Sequence, residues 1–545
     1  MRLEECVIMF LFLYILIFVN FCDGSNFTKS RVVHISQGNV RGYKLSGWDI
    51  YVYYGIPYAS PPTGRDRYKP PLPPPVWNNT LDAVYKNIAC PQYYNKTTNY
   101  NIKHNCLIVN VYVPDTNATN LSVLMYIHRG SFQTKNAGKV LFKNMMQTKR
   151  LIVVTFNYRL GAVGFLCLGT KNIPGYAGMK DQVSALKWVK KNIACFGGNP
   201  ENITIDGTSA GAKSADLFVV SKMTKGLFSK IIIESGGSLQ DNSIQVDPIK
   251  NALQYASLVD FQPNTIEQLE EFYLSASNDT LFAYHLRDRH NYLFKPCVER
   301  DIGQERFLDD SPYNLIKNGN YYNLPMLYGF TAQEGILRMK TFDEWSVQMN
   351  ANFASVLPTD LNFPSRREKE KVAQLAKQHY FGDKDGDKYS YTYILSYVNY
   401  FTDILVYPLL RAARLYDKTG NDKLYLYQFA FVGEESSQIK YTNLRGATHC
   451  SQADAIQDSD NEGCVSNRYK TIKSIMRELW INFITSGEPV PKNSSLVPWP
   501  PFRSDWAYMI LDDNFQMKRI YENSALFWDP IYERYYDNPI PPYDF

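Results

Sequence analysis

Gly207-Thr208-Ser209-Ala210-Gly211 places a serine between two glycines. Before it, Ile203-Thr204-Ile205-Asp206 alternates β-branched with polar or acidic residues and reads as a strand. After it, Ala212-Lys213-Ser214-Ala215-Asp216-Leu217 is small and suits a helix. Strand, tight turn and helix are what a serine nucleophile needs around it. The turn must be strained so that the hydroxyl projects clear of the backbone. The flanking glycines let neighbouring chain pass close by. The following helix points its first N–H groups at the place where negative charge develops during acyl transfer. The pentapeptide alone would also suit a structural Gly-Ser turn, so the weight rests on the elements around it.

A serine hydroxyl is a poor nucleophile at neutral pH and needs a base, which in turn needs an orienting acid. Chains with this elbow order them serine, acid, histidine, each on a loop after a strand. His449 follows Gly446-Ala447-Thr448 in a loop beyond the predicted strand Lys423 to Phe429, where the base is expected. His285 and His290 flank Arg287-Asp288-Arg289 and read as a solvated face. Glu334 follows the predicted strand Leu324 to Tyr328, and Gly335 after it lets its loop approach closely; a surface glutamate fits the same position. The oxyanion needs backbone N–H donors: one from Ala210 and others from a loop after an early strand. His128-Arg129-Gly130-Ser131-Phe132, just past the predicted strand Val123 to Ile127, is the candidate.

These residues need a large scaffold, and 545 residues with 45% hydrophobic side chains can build one. The net charge of +5 is small and its residues are interspersed, which argues against nucleic acid as a partner. Arg31 to Tyr54 reads as short antiparallel strands, and the prolines between Pro61 and Pro75 exclude helix and central strand. Leu107 to Val113, Val123 to Ile127, Leu151 to Phe156 and Lys230 to Glu234 are buried-strand patterns, and Gly178 to Phe196 has helical spacing. Strands alternating with helices predict a mostly parallel sheet covered on both faces. No repeat or linker marks a boundary, so residues 25–545 are expected to form one domain. Val7 to Val19 is an unbroken apolar run, short for a membrane span, and predicts a secretory leader over residues 1–24. An uncleaved anchor is the other reading of that run. The C-terminal residues carry no apolar stretch, so neither a span nor a lipid anchor is expected there. Cysteines 90, 106, 167, 195, 297, 450 and 464 follow the leader, an odd set that leaves at least one thiol free. Closing the polar loop between Cys90 and Cys106 would contribute about 3 kcal/mol. Asn26, Asn78, Asn95, Asn117, Asn120, Asn202, Asn278 and Asn493 begin glycosylation sequons.

Together these residues resemble the type-B carboxylesterase and cholinesterase family of the α/β-hydrolase fold. The likeness runs from about Val32 to Trp528. Gly55-Ile56-Pro57-Tyr58-Ala59 with Pro61-Pro62-Thr63-Gly64 is similar to the family's N-terminal signature, and Cys106-Leu107 with Asn110-Val111-Tyr112-Val113-Pro114 to its second. Asn157-Tyr158-Arg159, Gly164-Phe165-Leu166, Asp181-Gln182, Trp188, Phe196-Gly197-Gly198, Glu234-Ser235-Gly236, Trp499-Pro500 and Phe527-Trp528 follow in the family's order. The resemblance implies a large mostly parallel sheet with helices on both faces and a small N-terminal antiparallel sheet. It implies the triad Ser209, Glu334 and His449, oxyanion donors Gly130, Ser131 and Ala210, and a Cys90–Cys106 disulfide. No cofactor or metal is expected.

The departures bear on substrate. Arg129 and Ser131 replace glycines of the family's oxyanion loop, and Lys135 replaces another common there. If Arg129 had to adopt positive φ, strain of about 1–2 kcal/mol would follow. Its cation would favour acidic substrates, crowd the entrance, or point outward to a surface acid. Thr208 stands where cholinesterases carry a glutamate, and the Cys90–Cys106 loop has Tyr93, Tyr94 and Tyr100 but no tryptophan to hold a choline. His104-Asn105 replaces the acidic pair before Cys106, and Cys450 and Cys464 are open to pairing or to staying apart. The expectation is a secreted serine esterase acting on a small-molecule or lipid ester other than choline's. It has no nucleic-acid partner and no stable membrane span once the leader is cleaved. The oligomeric state stays open. The alternative is a weak or inactive cholinesterase-like adhesion or binding protein, as in neuroligin-type members, and the altered oxyanion loop keeps it in view.

Overall fold

The computed structural model describes residues 27–93, 100–139, 142–283, 293–382, 387–459, 462–503 and 505–543. The predicted leader, Asn26, Tyr94, Asn95, His285 and His290 lie outside them.

One 13-stranded sheet organises the chain. It starts with β1 (Phe27–Ile35), β2 (Gly38–Leu45), β3 (Ile50–Pro57) and β4 (Ile108–Pro114). It continues through β5 (Leu121–Ile127), β6 (Leu151–Phe156), β7 (Gly198–Thr208) and β8 (Lys230–Glu234). It ends with β9 (Met326–Thr331), β10 (Leu424–Phe429), β11 (Ala507–Leu511) and β12 (Gln516–Arg519), and the short strand Leu81–Asp82 pairs with β2. The spatial order is β1-β2-β3-β4-β6-β5-β7-β8-β9-β10-β11-β12. From β6 to β11 every neighbouring pair is parallel. The first four strands are mutually antiparallel and form one edge of the same sheet rather than a layer of their own.

The central strands are apolar because both their faces are covered. Ile231, Ile232 and Ile233 of β8 are all fully buried. Among the covering elements are α1 (Ala177–Asn192), α2 (Ala210–Val220), α3 (Tyr391–Lys418) and α4 (Asn467–Ser486). Apolar side chains separate into two core clusters, one holding Ile205, Ile231 and Ile233, the other Ile232, Leu327 and Trp480. Alternate residues of β8 thus face opposite layers, as the period of a strand requires.

Among the described residues there are two disulfides, Cys90–Cys106 and Cys167–Cys297. Cys195 and Cys464 are exposed free thiols and Cys450 is a buried one, so the possible Cys450–Cys464 bond is absent. Arg159 and Asp181 form a buried ion pair at 2.6 Å. The Arg159 guanidinium also donates to the carbonyls of Arg67 and Lys69. No helix among the described residues is long and apolar enough to cross a membrane.

Candidate active site

The parallel strands deliver their loops to one rim of the sheet, the usual location of sites in open α/β sheets. Ser209 sits between the end of β7 and the start of α2, with φ 57° and ψ −116°. That backbone costs about 1–3 kcal/mol for a non-glycine residue and persists only where its surroundings dictate it. Here they do. The Ser209 N–H donates to the Glu234 carbonyl at 2.9 Å, and its own carbonyl accepts from the Lys213 N–H at 3.0 Å. A Cβ on Gly207 would stand 2.1 Å from the Gly211 carbonyl oxygen, and one on Gly211 would stand 2.1 Å from that of Ile127. Both glycines are therefore required by close approach of the backbone.

His449 spans the site. Its Nε2 lies 2.9 Å from the Ser209 hydroxyl, and its Nδ1 lies 2.5 Å from Oε2 of Glu334. The second Glu334 oxygen accepts from the Ser235 hydroxyl at 2.6 Å and from the Thr331 N–H at 2.9 Å. Burial disfavours the Glu334 carboxylate, but His449 and these two donors outweigh it and hold its pKa below the ordinary value. For His449, burial favours the neutral ring, while the Cys450 sulfur and the Glu334 carboxylate favour the imidazolium; the net shift is upward. Gly335 explains how the acid gets in: a Cβ there would stand 2.1 Å from the Val398 carbonyl oxygen of α3, and its N–H donates to Thr402.

The loop after β5 folds back on itself. The Gly130 carbonyl accepts from the N–H groups of Gln133 and Thr134 at 2.9 and 3.0 Å. Its left-handed residues are Gly130, Ser131, Phe132 and Lys135, with φ of 133°, 57°, 62° and 92°; Arg129 is not among them. The strain expected at Arg129 falls instead on its neighbours. The Arg129 guanidinium turns to Asp454, with Nη2 to Oδ1 at 2.8 Å and the side chain 38% exposed, so it does not occupy the space beside Ser209. Ser131 and Ala210 line a cavity of about 300 Å³ together with Ser209 and His449. Gly130 lines a second, of about 630 Å³, that also includes Ser209 and His449 in its lining.

Some contributors went unread in the sequence. Ser235 lies in a fragment quoted only for its resemblance. Its hydroxyl donates to Glu334 and accepts from Gln452 Nε2 at 2.7 Å and from the Cys450 N–H at 3.3 Å. A small residue straight after a central strand, followed by a glycine, was the available signal. Thr208 does not face the cavities as a charge would. It is fully buried and donates to Glu234 at 3.1 Å. His379 stacks on Phe527 at 4.0 Å. His128 stacks on Tyr158 at 4.5 Å, and burial pushes it down to about 4, which keeps it neutral. No group of histidine, cysteine, aspartate and glutamate among the described residues could hold a metal.

The sheet order, and the loops that bring Ser209, Glu334 and His449 to one rim, define an α/β-hydrolase. The chain belongs to the carboxylesterase family, whose model matches residues 29–528. It is 31% identical over 513 residues to a juvenile hormone esterase of Heliothis virescens, covering 87% of this chain and 88% of that protein. It is 30% identical over 523 residues to esterase FE4 of Myzus persicae, covering 91% and 90%. Among solved structures, the juvenile hormone esterase of Manduca sexta, with OTFP covalently attached, superposes with a TM-score of 0.80 at 25% identity. The superposition covers 93% of this chain and all of that one. The chain is a carboxylic ester hydrolase.

Proposed function

We propose that hydrolysis runs through an acyl-enzyme on Ser209. His449 takes the hydroxyl proton as the Ser209 oxygen attacks the ester carbonyl. The N–H groups of Gly130, Ser131 and Ala210 receive the oxyanion, and Glu334 stabilises the imidazolium. His449 then returns the proton to the leaving alcohol. Water, deprotonated by the same ring, releases the acid. The observation that carries this reading is that the His449 imidazole lies within hydrogen-bond reach of both the Ser209 oxygen and the Glu334 carboxylate. Ser209→Ala should reduce p-nitrophenyl ester turnover below about a thousandth and abolish labelling by a fluorophosphonate probe, with the fold retained. Larger residual turnover would overturn the assignment.

The ester is not choline's: Thr208 leaves no carboxylate beside the serine, and its hydroxyl is committed to Glu234. The protein is secreted as residues 25–545, a single domain. The apolar leader, the two disulfides and the exposed sequon residues Asn78, Asn117, Asn120 and Asn493 support this. Asn202 is a poor acceptor, because its Nδ2 already donates to Ser122 and its Oδ1 accepts from Lys230.

A further inference from the structure

The smaller cavity beside Ser209 has a charged wall. Lys213 lies one turn into α2, and its backbone N–H bond to the Ser209 carbonyl fixes it close behind the nucleophile. The residue is 8% exposed and lines the cavity. Its ammonium donates to the carbonyl and to the side-chain oxygen of Asn242, which are both neutral acceptors. Burial pushes the Lys213 pKa down to about 7, with Asp241 opposing and with Lys295 and Arg338 adding to the fall. The hydrogen-bond partners of the ammonium are neutral, and the Asp241 charge offsets only part of its lost hydration.

Arg338 lines the same cavity, with its guanidinium carbon over the Trp345 ring at 4.8 Å and over the Phe401 ring at 5.7 Å. These two ring contacts keep the cation at the cavity wall. Glu344 is the acid on this lining, and it is exposed. The larger cavity is lined by Arg129, Lys135, Lys340 and Lys440, and its lining includes no aspartate or glutamate among the described residues. Arg129 and Lys440 are paired with Asp454 and Asp343. Lys135 is partly buried, and burial and its cationic neighbours disfavour its charged form. The linings of both cavities beside Ser209 thus hold more cationic than acidic residues.

We propose that the ester hydrolysed at Ser209 carries a singly charged anionic group, such as a carboxylate, seated against Lys213 and Arg338 while the scissile carbonyl faces the Ser209 oxygen. This rests on the esterase reading above. The remote anion supplies binding energy that orients the ester, and it places the reacting carbonyl by two fixed points rather than one.

The test uses two matched pairs of esters. In one, the charge sits on the leaving alcohol: 4-acetoxybenzoate against 4-acetoxybenzamide. In the other it sits on the acyl chain: monophenyl glutarate against its neutral glutaramate counterpart. For at least one pair the anionic member should be favoured by about tenfold or more in kcat/KM. That preference should fall to about one in Lys213→Gln and Arg338→Gln, recover in part in Lys213→Arg, and weaken with added salt. Equal or better turnover of both neutral members would overturn the proposal. So would an anionic preference unchanged in both variants. If Lys213→Gln does not fold, the Arg338→Gln ratio decides. Failure of the underlying reading looks different: no member of either pair is hydrolysed, and the fluorophosphonate probe does not label Ser209.

Discussion

Glu334→Gln replaces one carboxylate oxygen with a nitrogen in a pocket that dictates which one. Oε1 of Glu334 accepts from the Ser235 hydroxyl and from the Thr331 N–H. The Ser235 oxygen itself accepts from Gln452 and Cys450, so its hydrogen is committed to the acid. An amide nitrogen placed there would face two donors. The glutamine therefore keeps its oxygen on Ser235 and Thr331 and turns its NH₂ toward His449 Nδ1. That nitrogen must then accept, which puts the ring proton on Nε2, 2.9 Å from the Ser209 oxygen. A ring that donates to the serine cannot take the serine's proton. The expected loss in kcat is roughly 10⁴-fold, the scale known for the corresponding exchange in a serine-protease triad, or about 5.5 kcal/mol of barrier. Loss of a charge next to the imidazolium, with the tautomer kept, would cost only about 30- to 150-fold. Steady-state turnover of p-nitrophenyl butyrate, with a melting curve to show the fold is intact, separates the two. A loss of less than about tenfold would refute the whole orientation argument.

Ser235→Ala keeps the glutamate but removes one of its donors, so kcat should fall about tenfold with KM little changed; a change confined to KM would deny Ser235 its positioning role. The pH profile should also carry the upward shift at His449. The base works only when neutral, so kcat/KM should fall as pH drops through a value above the ordinary 6.5 of histidine. An acid limb at or below pH 6 would contradict it.

The chain announced its chemistry where the chemistry imposes a local demand. Ser209 needs a strand, two close-packed glycines and a helix, and all three are adjacent in sequence. Gly335 marks Glu334 because the backbone of α3 leaves no room for a side chain there. Other features have no local signature. Ser235 is a common residue whose role comes from what two distant segments, one at Glu334 and one holding Cys450 and Gln452, bring to its hydroxyl. The Cys167–Cys297 bond joins positions 130 residues apart. Strands β11 and β12 are short, and their pairing with each other and with β10 is what makes them strands. Lys213 looks like any polar residue on a helix until tertiary packing buries it in the wall of the cavity.

The oxyanion loop shows how a departure can be absorbed. Of the three replacements there, Arg129 falls on a position that any L-residue accepts, whereas Ser131 and Lys135 fall on left-handed ones, at φ 57° and 92°. The cost of about 1–2 kcal/mol at each is offset from outside the loop. Lys135 is gripped on both sides by one side chain: its N–H donates to Gln92 Oε1 at 2.9 Å, and its carbonyl accepts from Gln92 Nε2 at 3.0 Å. Gln92 in turn donates to the Cys90 carbonyl at 3.1 Å and lies inside the loop that the Cys90–Cys106 bond closes. Phe132, the other strained residue, is tied through its carbonyl to the Gly161 N–H at 2.7 Å and packs on Phe165. The disulfide loop therefore does more than shorten the unfolded chain. It anchors the amide that keeps a lysine in a glycine's conformation, and through the tight turn at Gly130 it fixes where two of the proposed oxyanion donors stand.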